Sequence, residues 1–233
     1  MMPEGFVDLI KSAGYTRVVV RPQSKPEDIS IADAKLLVEA SSVSLRGWDY
    51  PHISLRDDDS GGYENFAEFA QNWCDWHHHR EFWRIYKSGQ FLHYKSLRED
   101  LTNDEHVPKH RPVVGIGSLI FTVTEVVEFA HRLFRNGLYQ RGSQIEFTLG
   151  QSHGRELWVD DPNRMPFTSP RATSSNSIKV ERSLDPSHLL AGDPKETARS
   201  MLMEIFDAFG WRPSEDQLQN KQNQLYSLGF GRG

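Results

Sequence analysis

A tight-turn signal at residues 88–89 (Ser-Gly) places the strongest constraint on the fold, because it joins two short segments of alternating aromatic and polar residues. Glycine readily adopts the positive φ angle that primed hairpin turns require. A two-residue turn at this point would pair Trp83 with Tyr94 across the two strands. The sequence therefore predicts a β-hairpin over residues 81–96.

Side chains alternate between the two faces of a strand, so this register divides the hairpin residues into two sets. The apolar set is predicted to pack on the core and comprises Trp83, Ile85, Leu92 and Tyr94. The other set mixes rings with cations and comprises Phe82, Arg84, Tyr86, Phe91 and His93. Its members either pack under a further layer, with Arg84 stacked on a ring, or form a binding surface. We favour packing, and a one-residue shift of the turn would change the face assignments.

Hydrophobic periodicity predicts two long helices in the second half of the chain. Apolar residues recur at steps of three and four over residues 113–136, and the pattern ends at an Asn-Gly pair. Its β-branched residues leave open a strand at 113–121 followed by a helix capped by Thr122. A second helix is predicted at 194–209, after an Asp-Pro start signal, and a last polar helix lies within 213–233.

Alternating and polar segments predict the remaining elements. Residues 143–160 alternate on both sides of a glycine-containing stretch and predict a second hairpin. A third strand is predicted over residues 72–78, and the polar residues 98–112 are predicted to form a long loop. We therefore expect a single α+β domain over residues 1–233, with a mostly antiparallel sheet packed against the two long helices.

Composition argues against general nucleic-acid binding and against a membrane location. The 233-residue chain has a formal net charge of −5 and no block of basic residues. Cys74 is its only cysteine, so an internal disulfide cannot form and a reducing compartment is indicated. Residues 1–14 lack the features of a signal peptide, and no apolar run has the length of a membrane span. We expect a cytoplasmic protein without a membrane partner.

Histidines before the hairpin raise the question of a metal site. In a continuous strand, Asp75, His77 and His79 would share one face, and His93 would join them from the hairpin. Imidazole and carboxylate ligands suit Zn or Fe. A metal-dependent enzyme using these four residues is therefore one alternative function. Solvated or hydrogen-bonded histidines are the other interpretation.

Residues 46–52 (RGWDYPH) carry an arginine-to-histidine spacing seen in certain helical ribonuclease sites. Gly47 and Pro51 oppose a helix here, so a structural turn is favoured. In that turn Trp48 would be packed, and Arg46 would pair with a carboxylate.

Residues 150–154 (GQSHG) match the nucleophile-elbow pattern of serine hydrolases. That pattern needs a helix after the serine, whereas the following residues alternate like a strand. A plain hairpin loop is therefore favoured over a catalytic serine.

Several strings in the chain resemble an uncharacterised family of bacterial proteins: SVSLRGWDYPHI, EFWRIYKSGQFLHY, TEVVEFAHRL, RELWVDDPNRMPF and MEIFDAFGW. The resemblance spans most of residues 15–212, and RGWDYPH and FWRIYKSGQF are its most distinctive strings. Such segments occur alone or beside AlbA/Schlafen-type DNA-binding modules. The family has no established activity, so the resemblance transfers no catalytic residue.

These observations favour a non-enzymatic recognition or adaptor protein that needs no cofactor. Its partner would be a protein or a nucleotide-like ligand, and its binding surface would centre on Arg46, Trp48, Tyr50, Trp76, Arg84 and His93. The alternatives are the metal-dependent enzyme and a nucleic-acid module that works beside a DNA-binding partner.

Overall fold

A seven-stranded antiparallel sheet forms the centre of the computed structural model, which describes residues 1–24, 28–76 and 78–230. The strands are β1 (Tyr15–Pro22), β2 (Val43–Ser44), β3 (Asp49–Tyr50), β4 (Gly61–Asn65), β5 (Phe69–Trp76), β6 (His79–Tyr86), β7 (Phe91–Ser96), β8 (Val113–Gly115), β9 (Ser143–Gly150), β10 (Glu156–Trp158) and β11 (Ser177–Leu184). The sheet order is β11-β9-β1-β7-β6-β5-β4. Two small pairs, β2 with β3 and β8 with β10, lie outside it.

Helices pack on both faces of this sheet, the long helices on one face and the short first helix on the other. They are α1 (Phe6–Lys11), α2 (Ile31–Ser41), α3 (Arg98–Leu101), α4 (Ile116–Arg135), α5 (Pro186–Ala191), α6 (Pro194–Asp207) and α7 (Glu215–Phe230). The central helix α4 packs against α2, α6 and α7 and against β9, while short α1 packs on β6 and β7. The predicted α+β class, with a mostly antiparallel sheet and two long helices, is confirmed.

Two hydrophobic clusters lie on the two sides of the sheet. The large one draws residues from Val18 to Leu225 in the sequence and contains the buried side chains of α4 and α6. The small one lies under α1, where Phe6 meets the ring of Trp73 edge-on with 5.3 Å between centroids. Within the described ranges, no helix is both long and apolar enough to cross a membrane.

The long helix begins later than its hydrophobic pattern predicted. Residues 113–115 form β8, which pairs with β10 in parallel, and α4 starts at Ile116. Its first turn is capped from a distant segment, because the Asp160 carboxylate accepts hydrogen bonds from the N–H groups of Gly117 (2.8 Å) and Ser118 (2.9 Å). A carboxylate at this helix end satisfies free backbone donors and interacts favourably with the helix dipole.

The hairpin at residues 81–96 is confirmed, but its turn is one residue longer than predicted. The Tyr86 N–H donates to the Gln90 carbonyl at 2.9 Å, and the Gly89 N–H donates to the Tyr86 carbonyl at 2.8 Å. The loop therefore has three residues, and Gly89 adopts a φ of 77°. A left-handed glycine at this position is typical of three-residue hairpin loops.

This longer turn moves the side chains of β7 to the opposite faces. Trp83 pairs with His93, and Phe82 pairs with Tyr94. The side chains that face the helices are Trp83, Ile85, Phe91 and His93, whereas Leu92 and Tyr94 lie beside the cluster under α1. The predicted inward position of Tyr94 and outward position of His93 are therefore wrong, because strand side chains have a period of two.

Arg84 lies on the face opposite Trp83, as predicted, which is the α1 side of the sheet, and its side chain is packed there. Its guanidinium carbon is 3.9 Å from the centre of the Phe69 ring, and its Nη2 donates to the Gln71 side chain at 2.6 Å. The interpretation that Arg84 stacks on a ring is confirmed.

The predicted hairpin over residues 143–160 is wrong. Strand β9 pairs with β1 and β11, while β10 pairs with β8. The buried guanidinium of Arg155 explains why β10 pairs with β8. It donates to the Val113 carbonyl at 2.6 Å and to the Asp100 carboxylate at 2.7 and 2.9 Å. The chain therefore turns away from β9 before β10 begins.

Two further boundaries differ from expectation, whereas the predicted last helix is present. The strand predicted at residues 72–78 is β5, which ends at Trp76, and His77 lies outside the described residues. The predicted loop at residues 98–112 contains helix α3. The last helix, α7, begins after a reciprocal cap between Ser214 and Gln217, and it buries Leu218, Gln222 and Leu225 against the rest of the fold.

Candidate functional site

A cavity of about 480 Å³ lies at the end of the sheet where β1 and β6 begin and where β5 and β7 end. Sheet residues form one wall, and α3, α4 and the loop between β2 and β3 form the others. The lining residues are Thr16, Arg46, Trp48, Trp76, His78, His79, Lys95, Ser96, Leu97, Arg98, Glu99, Ser118 and Thr122.

One wall of the cavity is a cluster of rings around Trp48. The Trp48 ring stacks on His52 with 4.3 Å between centroids, lies 4.4 Å from His79 and meets Trp76 edge-on at 5.2 Å. The chain reaches this position through the β2–β3 turn, in which Gly47 adopts a φ of 78°. We call Trp48, His52, Trp76 and His79 the ring cluster.

A buried carboxylate supports the ring cluster from the sheet side. Glu81 is 2% exposed, and its Oε1 accepts hydrogen bonds from the His52 backbone N–H at 2.7 Å and from His93 Nε2 at 2.9 Å. Its Oε2 accepts from His79 Nε2 at 2.7 Å, and Lys95 Nζ lies 4.0 Å away. We call Glu81, His79, His93 and the His52 amide the Glu81 cluster.

Hydrogen bonds decide the ionisation state of the Glu81 cluster. Burial alone would raise the pKa of Glu81, but charge interaction with His93 and hydrogen bonds from His79 and His93 hold it well below its usual range. Burial is the largest effect on His79 and lowers its pKa, although Glu81 opposes that shift. The arrangement is therefore an ionised carboxylate held by neighbouring N–H donors.

A second buried carboxylate anchors Arg46. Its Nη2 donates to Glu125 Oε2 at 2.7 Å and to Thr122 Oγ1 at 3.3 Å, so the predicted pairing of Arg46 with a carboxylate is confirmed. Glu125 is 1% exposed, and burial raises its pKa although Arg46 opposes the shift. Arg46 is thereby held at the cavity wall, where Lys95 and Arg98 add two further cations.

A third buried carboxylate, Glu99, belongs to helix α3 and is only 8% exposed. Its Oε1 accepts a hydrogen bond from the Gly115 N–H at 2.8 Å, while its Oε2 has no partner among the described residues. A Cβ at Gly115 would lie 2.8 Å from Glu99 Oε1 and 2.6 Å from Asp160 Oδ2, so this glycine lets two carboxylates approach. We call Glu99, Gly115 and Asp160 the Glu99 corner.

Burial raises the pKa of Glu99, and the nearby Asp160 carboxylate raises it further. The residue lines both the 480 Å³ cavity and a neighbouring cavity of about 430 Å³, in which Asp104, His106 and Trp158 form other walls. Glu99 therefore stands at the boundary between two cavities with one oxygen unpaired.

The structure brings together three of the six residues predicted to form a recognition surface. Arg46, Trp48 and Trp76 line the same cavity. Tyr50 and His93 are buried behind it, where their rings meet edge-on with 4.9 Å between centroids. Arg84 lies on the opposite face of the sheet and is not part of the site.

The predicted metal ligands do not share one face. Asp75 accepts a hydrogen bond from Arg80 Nε at 2.9 Å on the α1 side, whereas His79 and His93 meet at Glu81 on the helix-covered side. The chain reverses direction between β5 and β6, so the continuous strand assumed in the prediction does not exist. In the part of the chain that the structure describes, no group of three His, Cys, Asp or Glu residues is arranged to hold a metal ion. Zn or Fe binding stays a prediction that elemental analysis can test.

The serine of the GQSHG motif is engaged in the loop. Ser152 is fully buried, and its Oγ donates to the Ser175 carbonyl at 2.7 Å. Asp160, which follows the serine in sequence and could serve as the acid of a hydrolase triad, caps α4 instead. These contacts favour the structural interpretation of this motif.

Sequence reasoning missed several residues of the site: Thr16, Glu81, Lys95, Glu99 and Glu125. The spacing of Glu81 could have indicated its position. It lies two residues before Trp83 on the same strand, so the two side chains share the inward face. No comparable signal marked Glu99, which lies in a polar segment without periodicity.

Comparisons with protein families, curated proteins and solved structures found no match to this chain. Function is therefore inferred from the cavity and from the residues that line it.

Proposed function

We propose that this protein recognises a nucleotide-like ligand, which combines a planar ring with an anionic group, in the 480 Å³ cavity. The observation that carries the proposal is that indole rings and three cations line the same cavity. Its role is recognition of the ligand rather than its chemical conversion. The volume lies within the range of about 300–1,000 Å³ that is usual for small-molecule sites.

The ring cluster supplies the apolar part of the site. Trp48 and Trp76 line the cavity, and planar bases bind proteins by packing against such aromatic side chains. Both indole N–H groups lack a hydrogen-bond acceptor among residues 1–24, 28–76 and 78–230, although buried tryptophans normally have one. Both N–H groups are themselves buried, so it is the ring surfaces that suit a ligand with a flat face.

The cations supply the anionic part of the site. Arg46, Lys95 and Arg98 line the cavity, and Glu99 is the one carboxylate among the lining residues. A positive lining in a chain with a net charge of −5 is a local feature and not a consequence of overall composition. Guanidinium groups bind phosphate through paired hydrogen bonds, so a phosphate group fits this part of the cavity.

The test is a binding titration of the purified protein with AMP, GMP, CMP and UMP, followed by calorimetry. We expect at least one of them to bind, and we expect Trp48→Ala to weaken that binding by about tenfold or more, as loss of base stacking on one ring does. Arg98→Ala, at a residue whose side chain is 65% exposed, should also weaken binding without affecting folding.

Arg84→Ala is the matched control, because this arginine stacks on a ring on the other face of the sheet. It should bind nucleotide as the wild type does. The proposal fails if no nucleotide binds, or if Trp48→Ala and Arg98→Ala both keep wild-type affinity while circular dichroism shows an intact fold.

A further inference from the structure

Glu99 lines the cavity, and one oxygen of its carboxylate, itself buried, accepts no hydrogen bond from another described residue. The residue is 8% exposed, one oxygen is bonded to the Gly115 N–H, and the other has no partner within the described chain. Buried carboxylates normally have partners for both oxygens, because an unpaired charge in a poorly solvated site is costly. This oxygen therefore needs an explanation.

Two charged residues that act electrostatically on Glu99 are committed elsewhere. Arg155 donates to both oxygens of Asp100 and to the Val113 carbonyl. Asp160 accepts from two backbone N–H groups of α4 and adds negative charge beside Glu99. Neither residue supplies a donor to Glu99 Oε2.

The cavity is lined by charges of both signs. Arg46, Lys95 and Arg98 provide positive charge, and Glu99 provides a negative acceptor in the same cavity. A ligand that fits both sides has an anionic group together with an N–H donor on its ring. An ionised carboxylate only accepts hydrogen bonds, so a ring carbonyl placed against it would be repelled.

We propose that Glu99 selects the base of the ligand by accepting a hydrogen bond from an exocyclic amino group. This inference rests on the nucleotide site proposed above and names its ligand class: nucleotides of amino-bearing bases. Adenine and cytosine present an amino group on the edge where hypoxanthine and uracil present a carbonyl oxygen. A site built to pair with one of these groups disfavours the analogue that lacks it.

The experiment compares two matched ligand pairs, CMP with UMP and AMP with IMP, in calorimetric titrations of the full chain. Each pair exchanges an amino group for a carbonyl at nearly constant size. We expect the amino-bearing member of at least one pair to bind about tenfold more tightly, as loss of one hydrogen bond to a charged group predicts. The titrations are run at pH 8.5, because burial raises the pKa of Glu99 and only the ionised carboxyl is purely an acceptor.

Glu99→Gln is the decisive variant, since it keeps the size of the side chain and adds a donor that can meet a carbonyl. The preference for the amino-bearing nucleotide should fall to less than about twofold in this variant. Glu146→Gln, on the opposite face of the sheet beside Arg17 and Lys179, is the control and should keep the preference.

The outcomes separate this inference from the proposal on which it rests. Equal binding of both members of each pair by the wild type would overturn the role of Glu99 and leave nucleotide recognition standing. A preference that persists unchanged in Glu99→Gln would overturn it as well. Binding of no nucleotide would refute both proposals.

Discussion

The Glu81 cluster and the Glu99 corner bury their carboxylates to a similar degree but provide very different partners. Glu81 is 2% exposed and receives hydrogen bonds from two imidazoles and one backbone amide. Glu99 is 8% exposed and receives one hydrogen bond from another residue, the Gly115 N–H. Carboxylates of similar burial can therefore differ widely in the number of donors that the fold supplies.

The pKa shifts of the two groups express the same difference. At Glu81 the charge of His93 and the hydrogen bonds from His79 and His93 outweigh burial and lower the pKa, whereas at Glu99 burial outweighs its backbone donors and raises the pKa. The protein thus holds one carboxylate in its charged form by its own contacts. It leaves the other in a site where a donor from a ligand would stabilise the charge.

The largest expected effect is the loss of stability when Glu81 is replaced. Glu81→Gln removes the charge and leaves His79, His93 and the His52 amide with one acceptor instead of two. We expect it to lower the free energy of unfolding by about 3–5 kcal/mol, as breaking a buried charged pair does. Urea unfolding followed by circular dichroism measures this.

The control is Asp207→Asn, which breaks an exposed pair with Arg212 in which the side chains are 54% and 79% exposed. It should change stability by less than about 1 kcal/mol. A Glu81→Gln variant that is no less stable than this control would show that the Glu81 cluster does not hold the hairpin in place.

The next effect is a pH response of opposite sign at the two carboxylates. Glu99 has a raised pKa in the folded state, so its contribution to stability is lost as the pH rises from about 4.3, the unfolded value, through the folded value. Glu99→Gln should therefore gain stability relative to the wild type with rising pH, by up to about 1.4 kcal/mol per unit in that window.

Glu81 should behave in the reverse way. Its lowered pKa means that its stabilising contribution is complete above about pH 4.3 and is lost as the pH falls below that value. The penalty of Glu81→Gln should therefore shrink below about pH 4.3. Unfolding curves of the wild type and the two variants between pH 3.5 and 8 measure both trends. If the stability of both variants relative to the wild type changed with pH in the same way, the opposite roles of Glu81 and Glu99 would be refuted.

The smallest effect concerns the turn that brings His93 to Glu81. Gly89 has a φ of 77°, which an alanine adopts only at a cost of about 1 kcal/mol. Gly89→Ala should lose about that much stability in the same urea assay, whereas Ser88→Ala should change it little. A neutral Gly89→Ala would indicate that the three-residue turn, and with it the inward position of His93, is not enforced at this glycine.

The hairpin shows how far prediction from the sequence extends. Its existence and the inward positions of Trp83 and Ile85 follow from local alternation and a nearby glycine. Its register does not follow, because two-residue and three-residue loops both accept a glycine here. One extra loop residue was enough to move His93 into the core and Tyr94 out of it.

The site shows a sharper limit. Trp48, Trp76 and Arg46 were predicted as binding residues from their side-chain types, and they line one cavity. Arg84 was grouped with them on the same grounds, yet it lies on the other face of the sheet. Side-chain chemistry indicates which residues can bind, but it carries no information on which face each residue reaches.

The amino-acid sequence by itself determined local structure: a hairpin near residue 88, a long helix ending near residue 135, and the start of α6 at its Asp-Pro signal. These features depend on neighbours within a few positions. Only the tertiary structure decided that Glu81 also meets the His52 amide and His93, and that the Gly115 N–H is the one donor that Glu99 receives from another residue. These three partners come from other segments of the chain. Their meeting depends on strand register and on how the segments pack, which are properties of the whole fold.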